Sequence, residues 1–315
     1  MEKRKLGKYG AELTTVGFGS WAVGGPWVFG WGKQEDVESE AAILRALELG
    51  VNWIDTAAIY GWGHSEEVVG RALSKVNRKD VFLATKCGMS APDPVTMPTR
   101  DLRPSRIRQE IEESLRRLGT DYVDLYQFHW PDNTGTPVEE SWQVMIDLQK
   151  EGKTRYVGVS NFNVELLERC EALHHVDSLQ PPYSLLNRDV EREILPWCLV
   201  HGTGVIAYSP MQSGLLTGKF DVNRLAQDDW RRKSGYFQEP QLAKNLQFVE
   251  DIRPIAERHG KTVGQLAVAW TLMNPAVTAA IVGARNAAQA EQNLGAINWI
   301  LSDEEMEEIQ QAIPG

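Results

Sequence analysis

Four side chains stand out for what they could do together. Asp55 closes the apolar run 51–56, Lys86 the run 81–86 and His129 the run 123–129, while Tyr60 follows Asp55 in a segment broken by Gly61 and Gly63. An unperturbed tyrosine titrates near pH 10, too high for efficient proton transfer at neutral pH. A neighbouring ammonium stabilises the phenolate and lowers that pKa. Lys86 is placed to be that cation, and Asp55 would keep it charged and oriented despite burial. His129 could donate a hydrogen bond to the same oxygen that Tyr60 protonates. Such a set would polarise a carbonyl and supply its proton, but no side chain can supply a hydride, so it calls for a cofactor. Singly, each residue has an ordinary structural explanation: a hydrogen-bonded histidine, a buried ion pair. Their coincidence at the ends of three consecutive strands speaks for function.

The elements that must position them alternate. Short β-branched runs at 14–20, 51–56, 81–86, 123–129, 154–160, 176–180, 204–209 and 278–283 are separated by amphipathic helical stretches. Eight strand–helix units imply a parallel sheet and the (β/α)8 barrel, with a doubly wound open sheet as the alternative. In such a barrel the strand C-termini form the active-site mouth, where Asp55, Lys86 and His129 all fall. Ile107, Ile111, Leu115 and Leu118 share one helix face that Gly119 terminates. Thr136 to Glu139, Thr262 to Gln265 and Ser302 to Glu305 read as capping boxes. Residues 1–15 read as a hairpin plugging the barrel bottom, and 210–240 as a long polar insertion after the seventh strand, of the kind that is more often functional than accidental. Nothing in 1–315 marks a linker or repeat, so one domain is expected.

Composition narrows the partners. The 315 residues are 42% hydrophobic and 24% charged, with a net charge of -10. That balance argues against nucleic-acid or anionic-membrane binding. The opening MEKRKLGKYG has no signal-peptide core, and no run approaches eighteen apolar residues, so a cytoplasmic protein is expected. Three scattered cysteines suit buried thiols, and six histidines form no i, i+4 pair, so no metal is expected. Gly17-Phe-Gly-Ser-Trp-Ala22 imitates a dinucleotide fingerprint, but the next helix begins only near Asp36, where a true fingerprint opens one at once. Better phosphate sites are 213–219, with free amides and Lys219, and 283–286 at a helix start, where Arg285 offers a phosphate fork. Trp21, Trp27, Trp31, Trp62 and Trp130 fall in strand-end loops, giving an aromatic mouth suited to aldehydes, aromatic ketones or sugar faces.

Taken in order, Gly17-Phe-Gly-Ser-Trp21, Asp55-Thr-Ala-Ala-Ile-Tyr-Gly61, Ala84-Thr-Lys86, Gly158-Val-Ser-Asn161, Ala207-Tyr-Ser-Pro210 and Ile281-Val-Gly-Ala-Arg285 resemble the aldo-keto reductase family nearly end to end. Gly214-Leu-Leu-Thr-Gly-Lys219 is similar to the bacterial branch related to potassium-channel β subunits. The resemblance implies an NADPH-dependent carbonyl reductase with Asp55, Tyr60, Lys86 and His129 as catalytic tetrad. It implies Tyr208 stacked on the nicotinamide, with Ser160, Asn161 and Gln180 on its carboxamide and Ser20 and Trp21 bordering nicotinamide and substrate. Ser209, Pro210, Met211, Ser213 and Lys219 would line the pyrophosphate. Gly283, Arg285, Gln289, Gln292 and Asn293 would hold the adenosine end, Arg285 on the 2′-phosphate. Trp21, Trp27, Trp62 and Trp130 are the substrate-side candidates. Val282, Met211 and Gln292 depart from the commoner proline, leucine and glutamate, and Arg231 is a candidate second phosphate ligand. Two rivals remain: a Schiff-base aldolase using Lys86, and a non-catalytic, NADPH-binding redox-sensing regulator. Substrate, direction and oligomeric state are not legible.

Overall fold

Each of the eight apolar runs is a strand in the computed structural model, which describes residues 1–93, 95–227 and 229–314. In chain order they are β3 (Val16–Gly19), β4 (Trp53–Asp55), β5 (Phe82–Cys87), β8 (Val123–Phe128), β9 (Thr154–Ser160), β10 (Ser178–Gln180), β11 (Gly204–Ala207) and β12 (Val277–Gly283). All pair in parallel and β12 returns to β3, closing the barrel. The open-sheet alternative is thereby set aside. Between the strands run α1 (Asp36–Glu48), α2 (His64–Leu73), α3 (Pro104–Leu118), α4 (Val138–Lys150), α5 (Val164–Glu171), α6 (Ile194–His201), α8 (Val263–Met273) and α9 (Ala287–Asn293). α3 buries Ile107, Ile111, Leu115 and Leu118 and stops at Gly119 in the left-handed region. No helix among the described residues is long and apolar enough to cross a membrane.

The barrel interior is filled rather than hollow. Trp53, Phe82, Leu125, Ile206 and Ala279 pack there. The antiparallel hairpin β1 (Lys3–Lys5) and β2 (Glu12–Thr14) contributes Leu6 and Leu13 from below. Burying each large apolar side chain is worth roughly 1.5–3 kcal/mol. Gly17 has no room for a side chain, because a Cβ there would lie 2.0 Å from the Trp53 ring. Gly17 therefore serves packing, while Gly19 to Ala22 run along the barrel mouth without opening a long helix. The boxes at Thr262 and Ser302 both form, opening α8 and α10 (Asp303–Ala312). The one read at Thr136 does not: α4 starts at Val138, and Asp132 instead collects the amides of Thr134, Gly135 and Thr136. Glu139, freed from capping, forks Arg169 at 2.7 Å. The insertion breaks into short 3-10 turns around a small apolar cluster of Leu215, Phe237 and Leu242, then enters α7 (Gln241–Arg258).

Strand β5, which carries Lys86, is stapled by two buried carboxylates. Glu66 of α2 accepts from Thr85 Oγ1 at 2.6 Å and Arg117 Nε at 2.7 Å. Glu110 of α3 accepts from the Gly88 amide at 2.6 Å and Arg106 Nε at 2.8 Å. Burial outweighs these donors and pushes Glu110 up from 4.5 to about 7. Its folded pKa is thus above the unfolded one, so its stabilising contribution is complete below about pH 4.5 and is lost as pH rises to about 7. Denaturant unfolding of Glu110→Gln should show it gaining on wild type by about 3 kcal/mol between those pH values. A pH-independent difference would refute the shift.

Candidate active site

Strand register delivers the first three side chains. Asp55 lies opposite Ala84, and Lys86, two residues on, points to the same face. Lys86 pairs with Gln127, and His129 follows by the same step of two. Tyr60 reaches them through a turn in which Gly61 has φ 61° and presses against Gly24: a Cβ on Gly61 would sit 2.1 Å from the Gly24 carbonyl oxygen. Glycine at both positions lets the two loops close onto each other.

Lys86 Nζ is fully enclosed and donates to Asp55 Oδ1 at 2.6 Å, Thr56 O at 3.0 Å and Tyr60 Oη at 3.3 Å. Gln180 Nε2 donates to the other Asp55 oxygen at 2.9 Å. The Tyr60 and His129 rings meet edge to face, with centroids 5.5 Å apart. Three acceptors around one nitrogen suit an ammonium rather than the neutral amine a Schiff base requires, so the aldolase alternative loses its nucleophile.

The expectation that Lys86 lowers the Tyr60 pKa is corrected by the environment. Burial, with the Asp55 carboxylate adding to it, pushes the phenol well above its usual value. Burial lowers Lys86, with Asp55 working against the fall. Burial and then the Lys86 charge drive His129 well below the usual imidazole range. The site thus combines a protonated phenol, a neutral imidazole and a compensated ion pair. A phenolate formed at Tyr60 would accept the Lys86 hydrogen bond already in place at 3.3 Å.

Tyr60, His129 and Asp55 line a cavity of about 780 Å³, whereas Lys86 stays behind them. Every residue read as a nicotinamide, pyrophosphate or adenosine contact lines the same cavity. Ser160 Oγ donates to the Gln180 carbonyl at 2.7 Å, Asn161 Nδ2 to Ser160 Oγ at 3.0 Å, and Tyr208 Oη to Asn161 Oδ1 at 2.8 Å. Ser209, Gln212, Ser213 and Gly214 all have positive φ, a backbone form that gathers amides into an anion nest. Arg285 donates to Gln34 Oε1 at 2.7 Å and to the Lys33 carbonyl, and its amide donates to Gln289 Oε1 at 2.9 Å. Neither it nor Lys219 has a carboxylate partner among the described residues. An amide-lined strand end, a nest and two uncompensated cations along one cavity fit an extended dinucleotide. The helix after Arg285, α9, has only seven residues, so the side-chain charge outweighs any dipole there.

The Aldo/keto reductase family model matches residues 15–314. The chain belongs to the aldo/keto reductase family. It is 34% identical over 315 residues to the NADH-specific methylglyoxal reductase of Escherichia coli, covering 96% of this chain and 95% of that one. It is 33% identical over 316 residues to a probable voltage-gated potassium channel subunit beta of Arabidopsis thaliana, covering 95% and 92%. The structure of the glycerol dehydrogenase of Gluconobacter oxydans matches with a TM-score of 0.90 at 38% identity, covering 98% of this chain and 94% of that one. Membership brings carbonyl–alcohol oxidoreduction with a nicotinamide cofactor.

Within this aldo/keto reductase two sequence readings fall away. Trp62 does not line the cavity: its indole donates to Ala91 O at 3.0 Å and packs edge to face against Trp27. Arg231 is neutralised by Asp229 at 2.7 Å, donates to Ser213 O at 3.2 Å and lies over Trp31, outside the cavity wall. It braces the nest through that contact. Trp21, Trp27, Trp31 and Trp130 do line the wall. Met89, Met97, Arg100 and Trp230 join them without having been singled out. The signal for the first three was the unusually long, patternless stretch between β5 and α3. Since Tyr60 and His129 titrate outside the neutral range in opposite directions, the pH profile of reduction should be level from about pH 7.5 to 9. A limb with its midpoint inside that window would contradict the assigned protonation states.

Proposed function

We propose that this chain, acting as a single barrel domain, is an NADPH-preferring reductase of small aldehydes or ketones in which Tyr60 is the general acid. The observation that carries this reading is the Lys86 ammonium held behind the cavity wall between Asp55 and the Tyr60 hydroxyl, with the phenol and the His129 imidazole both lining the cavity. A carbonyl oxygen placed between those two groups would accept hydrogen bonds from both. The nicotinamide supplies the hydride when bound. Tyr60 Oη then passes its proton to the developing alkoxide, and Lys86 stabilises the phenolate left behind. Asp55, fixed by Gln180, keeps Lys86 charged and aimed.

Ser160, Asn161 and Gln180 would hold the carboxamide, Tyr208 would cover the ring, and Ser20 and Trp21 would border it. Ser209, Pro210, Met211, Ser213 and Lys219 would line the pyrophosphate. Gly283, Gln289, Gln292 and Asn293 would frame the adenosine, with Arg285 toward a 2′-phosphate. The preference for NADPH rests on that guanidinium, which is oriented by the neutral oxygens of Gln34 and Lys33 and keeps its charge available. The Escherichia coli relative is named NADH-specific, so cofactor choice must come from residues such as these and not from family membership. The channel-subunit relative favours a second reading, a cofactor-binding regulator, which would show tight binding without turnover across a carbonyl panel.

Tyr60→Phe should lower kcat by about 10²–10⁴-fold while the cofactor Kd, read from tryptophan fluorescence, stays the same. Near-normal turnover would sink the assignment. Arg285→Ala should weaken NADPH by about tenfold to a hundredfold and spare NADH; equal losses for both would remove Arg285 from that role.

A further inference from the structure

The cavity holds one cation for which the cofactor reading has no use. In a chain with 43 acidic against 33 basic residues, the wall presents among the described residues a single carboxylate, Asp55, already matched by Lys86, but three basic side chains: Arg100, Lys219 and Arg285. Lys219 and Arg285 belong to the phosphate end. Arg100 comes from the opposite side, in the hairpin of β6 (Met89–Ser90) and β7 (Thr99–Arg100). Its cross-strand neighbour Met89 packs against the cluster of Ala57, Ile59 and Tyr60. Its guanidinium stands 4.2 Å from the ring centroid of Trp130, the residue directly after His129. Packing and chain connectivity therefore both put Arg100 at the catalytic end.

Its donors are unused. The Arg100 backbone is fixed by Asn133, whose Oδ1 accepts from it at 3.3 Å and whose amide donates to its carbonyl at 3.2 Å. The guanidinium itself has no hydrogen bond and no carboxylate partner among the described residues. A planar guanidinium stacked on an indole keeps its N–H edge free and pre-oriented for a carboxylate or phosphate.

We propose that Arg100 is the receptor for an oxyanion on the substrate, so that the substrate class is an aldehyde or ketone bearing a carboxylate or phosphate remote from the carbonyl. This rests on the reductase reading above. The test compares kcat/KM within two matched pairs, succinic semialdehyde against butanal and glyceraldehyde 3-phosphate against glyceraldehyde, for wild type, Arg100→Gln and Arg100→Lys. Wild type should prefer the anionic member of at least one pair by about tenfold to a hundredfold, the gain expected of a charge-assisted contact. Arg100→Gln should bring that ratio close to one, and Arg100→Lys should keep part of it. The pair with the larger loss distinguishes carboxylate from phosphate. If Arg100 only packs against Trp130, both members of each pair move together; an unchanged ratio in Arg100→Gln overturns the receptor. Failure of wild type to reduce any of the four aldehydes overturns the reductase reading instead.

Discussion

The site depends on one buried ion pair. Lys86 and Asp55 are both removed from water, and their desolvation is tolerable only because the contact is short and each partner is otherwise satisfied. Removing either would leave an uncompensated charge inside the barrel mouth. The staples of Glu66 and Glu110 on β5, the Gln180 amide on Asp55 and the glycine contact between the Tyr60 loop and the loop after β3 all hold the geometry of that pair. The phenol then needs no depressed pKa. In the proposed mechanism it remains an acid, and the ammonium beside it becomes most favourable only as the phenolate forms, a differential stabilisation of the kind that accelerates a reaction.

The cavity wall is chemically polarised along its length. Strand ends supply neutral amides and hydroxyls in the middle, the post-β11 nest and Arg285 supply positive charge at one end, and indoles with Arg100 dominate the other. Asp55, matched by Lys86, is the single carboxylate on this wall among the described residues, so the wall would favour anionic groups in spite of the net charge.

Much of this was legible in the sequence. Eight apolar runs gave the strands, and the residues at their ends gave Asp55, Lys86 and His129, because a parallel barrel always presents that end of each strand to the mouth. The hairpin with Leu6 and Leu13 and the boxes at Thr262 and Ser302 were readable because each follows from local pattern, and the residues proposed as nucleotide contacts, from Ser160 to Asn293, all border one cavity. What was misread depended on competition between distant groups. Asp132 captured the Thr136 amide that Glu139 would have accepted, Asp229 captured Arg231, and the Ala91 carbonyl captured the Trp62 indole.

The sequence by itself determined the barrel and the ion pair, because strand periodicity fixes which side chains share a face and which strand end they occupy. Tertiary structure alone decided the protonation states, since desolvation outweighs the nearby cation at Tyr60. It alone decided which indoles face the cavity and which cations stay unpaired. Those outcomes turn on how loops far apart in the chain pack over one another, and no local pattern encodes that.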